Sequence, residues 1–377
     1  MVGFLHFELK SKRQRQEGCT RTPRNRPLPF HTLDLNGMEL RFGIVGFGLH
    51  AVKRLMPGFR GSKYTTATAL SRRNAELARQ SAAEHDIPRW FTSTEELCAS
   101  PEVDAVLVTT PNSAHLSDVL IALRHRKPVL VEKPMGMNAE ECRRMMTAAE
   151  GVGVLLGVAQ VFRFTRSLAR IRALVQSGEI GEPLFARSEF SYNGLGHARQ
   201  WIDSRQISGG GPIMDVGVHC VDALRFVLEQ EVARVTALAK FDEHWPEVEA
   251  AAALDLQFDR GTLGTILVSA RAEYRTPIEM VGAKGVIRAA DGLTVEHPIT
   301  IEILRGGEVV HSEEVNNAGA YSRQVDAFAL ALRGEQPFPA TAEDGLRNQL
   351  VLDEAYRRIE NAKAQNLGKT GNDVTPV

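Results

Sequence analysis

Residues Arg41–Ala51 read Arg-Phe-Gly-Ile-Val-Gly-Phe-Gly-Leu-His-Ala. A β-type run, Phe42 to Val45, passes directly into Gly46-Phe47-Gly48-Leu49-His50-Ala51. Gly46 permits a tight turn after the strand. Gly48 carries no side chain that would keep a ligand off the backbone, and Ala51 lets a following helix pack close to the sheet. That helix is expected to start at about Leu49, with unpaired N–H groups and a positive dipole end facing outward. The pattern is the G-x-G-x-x-G/A fingerprint that receives a dinucleotide pyrophosphate. Gly46, Phe47, Gly48, Leu49 and His50 are therefore candidate cofactor contacts. Ordinary strand–turn–helix units also carry such glycines, so the surrounding chain has to decide.

From Met38 to about Val158 strands and helices alternate. Tyr64–Leu70, Val103–Thr109, Val129–Val131 and Val154–Val158 read as further strands. Helices are expected from Asn74 to about His85, after the capping box at Ser93-Thr94-Glu95-Glu96, from about His115 to His125, and after Asn138. This alternation predicts a doubly wound parallel sheet over 38–160, with its ligand beyond the carboxyl ends of the strands. After Gln160 the pattern changes. A helix at about Ser167–Ser177 is followed by long β-type segments: Pro183–Tyr192, Ala233–Phe241, Glu249–Phe258, Thr262–Ala272, Pro277–Val281, Val286–Ala289 and Ile299–Leu304. Short turns such as Asp259-Arg260-Gly261 predict an antiparallel sheet over 161–367. Helices at about Met214–Leu228, Ser322–Leu332 and Ala342–Asn361 complete this second α/β domain, and 368–377 reads as a loose tail.

The chain is long enough, at 377 residues, for two ordinary domains. A formal net charge of −1 gives no global signal for nucleic acid or an anionic membrane. No apolar run approaches the ~20 residues of a membrane helix. Cys19, Cys98, Cys142 and Cys220 form neither a CxxC pair nor a regular framework, so reduced thiols in a cytosolic protein are expected. Residues 1–37 differ from the rest, with seven Lys/Arg against three Asp/Glu and poor apolar periodicity. Three readings stand: a disordered extension, a start called too early before Met38, or a basic transit peptide.

Three further motifs follow the fingerprint. Thr110-Pro111-Asn112-Ser113-Ala114-His115 comes directly after the third strand, and Glu132-Lys133-Pro134 directly after the fourth. Gly209-Gly210-Gly211-Pro212-Ile213-Met214-Asp215-Val216-Gly217-Val218-His219 opens a helix in the second half. In this order and spacing the motifs resemble the Gfo/Idh/MocA oxidoreductases, the family of glucose–fructose oxidoreductase and inositol dehydrogenase. The resemblance covers about Met38 to Lys363. It implies a Rossmann domain, a C-terminal α/β domain with a large open antiparallel sheet, and hydride transfer at a nicotinamide between them. It also implies a homodimer or homotetramer packed through that sheet.

Lys133 lies just past a buried strand, where an ammonium can hydrogen-bond a substrate hydroxyl and stabilise charge on oxygen. The resemblance makes it the catalytic lysine. Asp215 and His219, four apart, share one helix face. An imidazole there can accept a hydroxyl proton, and Asp215 can orient the ring or bind a substrate hydroxyl. Asp222, three beyond His219, is placed by its spacing on the same face as a supporting group. The resemblance completes a Lys133, Asp215 and His219 triad. It places Thr109, Thr110, Pro111, Asn112 and His115 along the cofactor, and Glu132 against a ribose hydroxyl. Gln160 and Arg163 follow the last Rossmann strand. Arg163 either contacts substrate or forms a domain-interface salt bridge. Trp201 either stacks on a sugar face or sits in the core. Many sugar-active relatives have Trp-Arg there. This chain has Trp201-Ile202, which leaves the arginine's role missing or moved to Arg199 or Arg205. No metal is expected, because Cys220 faces away from His219 and no third ligand stands at metal spacing.

The second strand ends Ser71-Arg72-Arg73, with no acid to bind a ribose 2′-OH. A guanidinium fork and a hydroxyl suit a 2′-phosphate, which predicts NADP ahead of NAD. If Arg72 and Arg73 instead lie on a solvated helix start, both cofactors serve. The expected reaction is hydride transfer with a secondary alcohol or ketone of a sugar, cyclitol or polyol. Two other classes stay open: a non-catalytic dinucleotide sensor, and a glycoside hydrolase of the same fold acting through transient oxidation.

Overall fold

A computed structural model describes residues 30–33, 37–196, 199–295 and 297–367. β1 (Leu40–Val45), β2 (Thr65–Ser71), β3 (Arg89–Phe91), β4 (Ala105–Val108), β5 (Val129–Val131) and β6 (Leu156–Val158) form one parallel sheet. Its order is β3-β2-β1-β4-β5-β6, the dinucleotide-binding arrangement, with the switch point between β1 and β4. The inner strands are buried apolar runs, as a sheet covered on both faces requires. The helices begin where their caps predict. Asn74, Ser93 and Asn138 each accept from the N–H three residues on.

The second sheet has nine strands. Along one path run β15 (Glu308–Val315), β14 (Ile299–Arg305), β13 (Gly285–Ala289), β12 (Ile278–Gly282), β7 (Pro183–Asn193), β10 (Leu263–Ser269), β9 (Ala251–Phe258) and β8 (Val232–Lys240); β11 (Arg271–Arg275) pairs with β7 off this path. The sheet is mixed rather than purely antiparallel, because β10 runs parallel to β7 from Leu263↔Phe185 to Ser269↔Ser191. A parallel pair needs a long crossover, and the helix Val218–Leu228 with β8 and β9 supplies it. β3 is too short and β15 too polar to stand out in the sequence.

The late helices cross back over the first sheet. Val325, Phe328 and Leu332 pack in one core with Phe42, Phe59 and Phe338. Ala340 O receives the Val158 N–H, and Gly157 bridges to Thr341. A division at residue 160 therefore does not separate the cores.

Residues 30–33, at the described end of the stretch read as a disordered extension or an early start, pack on the fold. His31 N–H donates to Gly153 O and Leu33 N–H to Leu332 O, while Phe30 and Leu33 pack on the core beneath. Residues 1–29 and 34–36, and the expected tail 368–377, lie outside the described residues.

Candidate active site

β1 delivers Gly46 with φ +80. A Cβ there would lie 2.6 Å from Thr110 Cγ2 and 2.8 Å from Thr110 N, so the close approach of the β4 loop requires glycine. At Gly48 the nearest atom to a Cβ is Gly46 O at 3.7 Å, which leaves the backbone open toward the crevice. Helix begins at Leu49, as expected, and Ala51–Leu55 is a π-helical turn closed by Met56 N–H to Ala51 O. An open glycine followed by a helix start fits a pyrophosphate.

The other fingerprint side chains divide. Leu49 and His50 line a cavity of about 730 Å³. Phe47 does not: its ring is buried against His85 and its N–H donates to Ser71 O, so the expected cofactor contact is a core residue. Ser71 is buried at the end of β2. Arg72 Nη1 donates to Ser81 Oγ at 2.7 Å, and Arg73 is exposed beside it.

The β4 loop bonds mostly to the protein. Thr109 Oγ1 donates to the carbonyls of Val45 and Gly46, and Thr110 Oγ1 to Asp118. Pro111 precedes the helix Asn112–Arg124. Asn112 Nδ2 donates to Ser208 O. His115 lies between the carbonyls of Pro134 and Thr110, each at 2.9 Å. Burial pushes its pKa down, and a neutral ring donates to only one of them. These groups shape the cavity and brace the loop before the Lys133–Pro134 bond, which is cis.

Glu132 and Lys133 follow β5 into the cavity. Glu132 Oε1 meets His50 Nε2 at 2.9 Å. Burial alone would raise this carboxyl, but His50 and Lys133 outweigh it and hold it below its ordinary value. Lys133 Nζ donates to Asp215 O at 2.7 Å and reaches Asp215 Oδ1 at 3.4 Å.

Asp215 and His219 come from a helix that is not uniform. Ile213–Gly217 is a π-helical turn, closed by Val218 N–H to Ile213 O, and Val218–Leu228 continues as α-helix. Such turns occur often at functional sites. The Asp215 carboxylate accepts from both Arg199 nitrogens (3.1 and 3.0 Å) and from Tyr192 Oη (2.8 Å). Burial opposes ionisation, yet Arg199, Lys133 and Tyr192 hold the group far below its ordinary value. Its partners are these donors rather than His219.

His219 is buried at the cavity wall, its ring edge-on to Phe162 at 4.8 Å and nearly parallel to Phe190 at 6.1 Å. Nδ1 is buried without a hydrogen-bond partner among the described residues. Burial, seconded by Lys133, pushes the imidazole well below its ordinary value, with Asp215 opposing. The ring is neutral near pH 7, the form that accepts a proton.

Trp201 lines the same cavity, together with Phe162, Phe190, Tyr192 and Tyr274. Arg163 is absent from it. Its guanidinium is buried in a fork with Asp222 (2.8 Å twice), and adds Asp344 Oδ1 and Pro339 O. Of its two sequence readings, the structure has the salt bridge, and Asp222, read as a supporting group on the face of Asp215 and His219, is its partner. The Arg205 guanidinium donates to Glu360 and its backbone N–H to Glu247, away from the site, so Arg199 is the arginine that meets the triad. Sequence reasoning missed Tyr192 as an Asp215 donor. The signal was there: Phe190 and Tyr192 alternate along one face at the end of a predicted strand. Leu293, Thr294, Val295 and His297, which also line the cavity, carried none.

Comparison with known proteins identifies the two domains. Residues 40–160 match the oxidoreductase family model for the NAD-binding Rossmann fold, and 168–288 match the GFO/IDH/MocA C-terminal domain. The chain is 31% identical over 308 residues to 1,5-anhydro-D-fructose reductase of Ensifer adhaerens, covering 81% of this chain and 92% of that protein. It is 31% identical to trans-1,2-dihydrobenzene-1,2-diol dehydrogenase of Bos taurus, over 67% of this chain and 75% of that one. Aldose-aldose oxidoreductase of Caulobacter crescentus superposes with a TM-score of 0.80 at 25% identity, over 86% and 98% of the two chains. A 3-ketoreductase of Actinomadura kijaniata, solved with NADP and TDP-benzene, shares the fold with a TM-score of 0.77 at 20% identity, over 85% and 98%. With a Rossmann crevice, a lysine, an aspartate and a histidine gathered at one cavity, and relatives spanning most of its length, the chain belongs to the Gfo/Idh/MocA family of NAD(P)-binding oxidoreductases.

Proposed function

We propose that this protein transfers a hydride between NADP(H) and a secondary alcohol or ketone of a sugar, cyclitol or related polyol. The observation that carries the reading is the convergence of Lys133 and His219 on one cavity that is also lined by Leu49 and His50 of the fingerprint. Bound there, the nicotinamide supplies the hydride acceptor or donor. Gly48 and the helix start at Leu49 would hold the pyrophosphate, and Glu132 would accept from a ribose hydroxyl once His50 moves aside.

The chain's own residues then divide the work. The Lys133 ammonium donates to the substrate oxygen and stabilises charge on it. Neutral His219 takes the hydroxyl proton as the alcohol is oxidised. Asp215, held ionised by its donors, fixes Lys133 and does not itself exchange a proton. Aromatic walls from Phe162, Phe190, Trp201 and Tyr274 suit the apolar face of a ring, and the sugar-directed names of two relatives agree.

Ser71, Arg72 and Arg73 at the end of β2 support NADP over NAD. The exposed face of the second sheet supports a homodimer or homotetramer. Leu263 pairs directly with Phe185, and Leu238 and Leu267 flank Ala253, all four large side chains being exposed. The deciding experiment is a screen of sugars, inositols and deoxy-ketosugars with each cofactor, following absorbance of the reduced form. No turnover with any of them would end the reading.

A further inference from the structure

The Gly209-Gly210-Gly211-Pro212 run has no part in the chemistry above, yet the chain folds it against two buried polar groups. Glu249, buried just before β9, accepts from Gly211 N–H at 3.1 Å and from Ile213 N–H at 2.9 Å. Tyr356, on the helix Ala342–Leu367, donates its hydroxyl to the same carboxylate at 2.9 Å. The glycines are what let the turn come so close. A Cβ at Gly210 would lie 1.8 Å from Tyr356 Oη, and one at Gly211 would lie 2.2 Å from Glu249 O. Gly209 has φ +82, where glycine carries no penalty.

The anchored turn leads directly into the site. Gly211 O accepts from the N–H groups of Met214 and Asp215, each at 3.0 Å. Asp215 O then receives Lys133 Nζ, and His219 projects one turn further on. The first N–H groups of a helix have no intrahelical partner, and here the carboxylate just ahead of β9 takes the Ile213 N–H and the Gly211 N–H before it. We propose that Glu249 is a positioning residue: with Tyr356 it fixes the turn that sets where Asp215 and His219 stand, and thereby where Lys133 reaches. This rests on the hydride-transfer reading of the site.

Glu249→Gln keeps the shape but turns an NH2 toward one of the two N–H donors. It should lower kcat about 10- to 100-fold, the scale of a sub-ångström to ångström misplacement. Binding of the reduced cofactor, read by fluorescence titration, should stay within about twofold, because the Gly46–His50 wall does not touch the anchor. Tyr356→Phe removes a single donor and should lower kcat about 2- to 10-fold with the same unchanged binding. If Glu249→Gln does not fold, Tyr356→Phe decides. Wild-type kcat in the folded variant, or loss of kcat only in step with cofactor binding and melting temperature, would overturn the proposal. Crystal structures of wild type and variant give an arm independent of turnover. With the first sheets superposed, the Asp215 carboxylate and the His219 ring should be displaced, and unmoved groups would overturn the anchor. If wild type shows no turnover at all, the hydride-transfer reading falls and this arm still judges the anchor.

Discussion

On the cofactor side of the cavity, the wall comes from the ends of β1, β4 and β5, each strand running straight into the residues it presents. The polar side chains of Thr109, Thr110, Asn112 and His115 line the cavity while bonding to the protein: Thr109 to the β1 loop, Thr110 to Asp118, Asn112 to Ser208 O, and His115 beside the Thr110 and Pro134 carbonyls. On the opposite side, Asp215, Tyr192, Arg199 and His219 come from a helix, a strand end and a loop, and an ion-paired cluster stands among aromatic rings. One acid there is surrounded by a guanidinium, an ammonium and a phenol. The first wall is specified by short contiguous patterns and the second by pairings across the chain. Substitutions should therefore fail differently on the two sides.

The largest effect is expected from a residue that belongs to neither wall. Arg163→Ala leaves buried Asp222 without its guanidinium and takes one of two guanidinium partners from half-buried Asp344. Breaking such a pair costs about 3–5 kcal/mol, so the melting temperature should fall sharply while KM for substrate in the surviving folded enzyme stays near wild type. A large rise in KM with little change in melting would return Arg163 to the substrate site.

Next come the two chemical groups. Lys133→Ala and His219→Ala should each lower kcat by about 100-fold or more, the usual scale for a positioned acid or base. Cofactor affinity should change little for His219→Ala, since the ring sits on the opposite wall. Wild-type turnover in both variants would remove the catalytic assignment. The pH dependence has a definite sign. His219 is held well below its ordinary value by burial, so the base form persists through neutrality. Rates of alcohol oxidation should lose their His219 limb only well below about pH 6.5, the unperturbed value. A limb at or above that pH would mean that water or a counter-charge reaches the ring.

How much of this could be read in the sequence follows the same division. The alternation of strands and helices over 38–160, the Gly46 turn, the helix start at Leu49 and the side-chain caps follow from local rules, and they were legible. Lys133, Asp215 and His219 were legible as residue types through a family resemblance. Their partners were not. Nothing near Asp215 in sequence shows that Arg199 forks onto it or that Tyr192 completes its shell. Arg163 could not be resolved between substrate and salt bridge, because Asp222 and Asp344 lie 59 and 181 residues away. Phe47 was misread for the opposite reason: a motif position names a backbone role, and the side chain simply went to the nearest core.

A smaller effect tests the cofactor wall at its far end. Wild type should prefer NADP over NAD by at least about 10-fold in kcat/KM, and Arg72→Ala should lose most of that preference, a charge-assisted contact being worth about 1.5–3 kcal/mol. The Arg72–Ser81 bond holds the guanidinium in place beside the end of β2 without neutralising it. A wild-type preference for NAD would show that Ser71-Arg72-Arg73 is a solvated helix approach.

The smallest expected effect concerns the segment ahead of β1. A chain beginning at Met38 loses the His31 and Leu33 backbone bonds to Gly153 and Leu332, and the packing of Phe30 and Leu33. Each bond is worth about 0.5–1.5 kcal/mol net, and a half-buried apolar side chain adds about as much. None of these atoms borders the cavity. Gly153 and Leu332 lie at the ends of helices packed on the first sheet, away from the carboxyl ends of its strands. The shortened chain should therefore keep wild-type kcat and KM while melting a few degrees lower, since 1 kcal/mol moves the midpoint by roughly 2–4 °C in a domain of this order of size. An unchanged melting temperature would show that residues 30–33 rest on the fold without stabilising it. A lowered kcat would mean that this segment braces the cofactor wall from behind, and the two walls would then share a support.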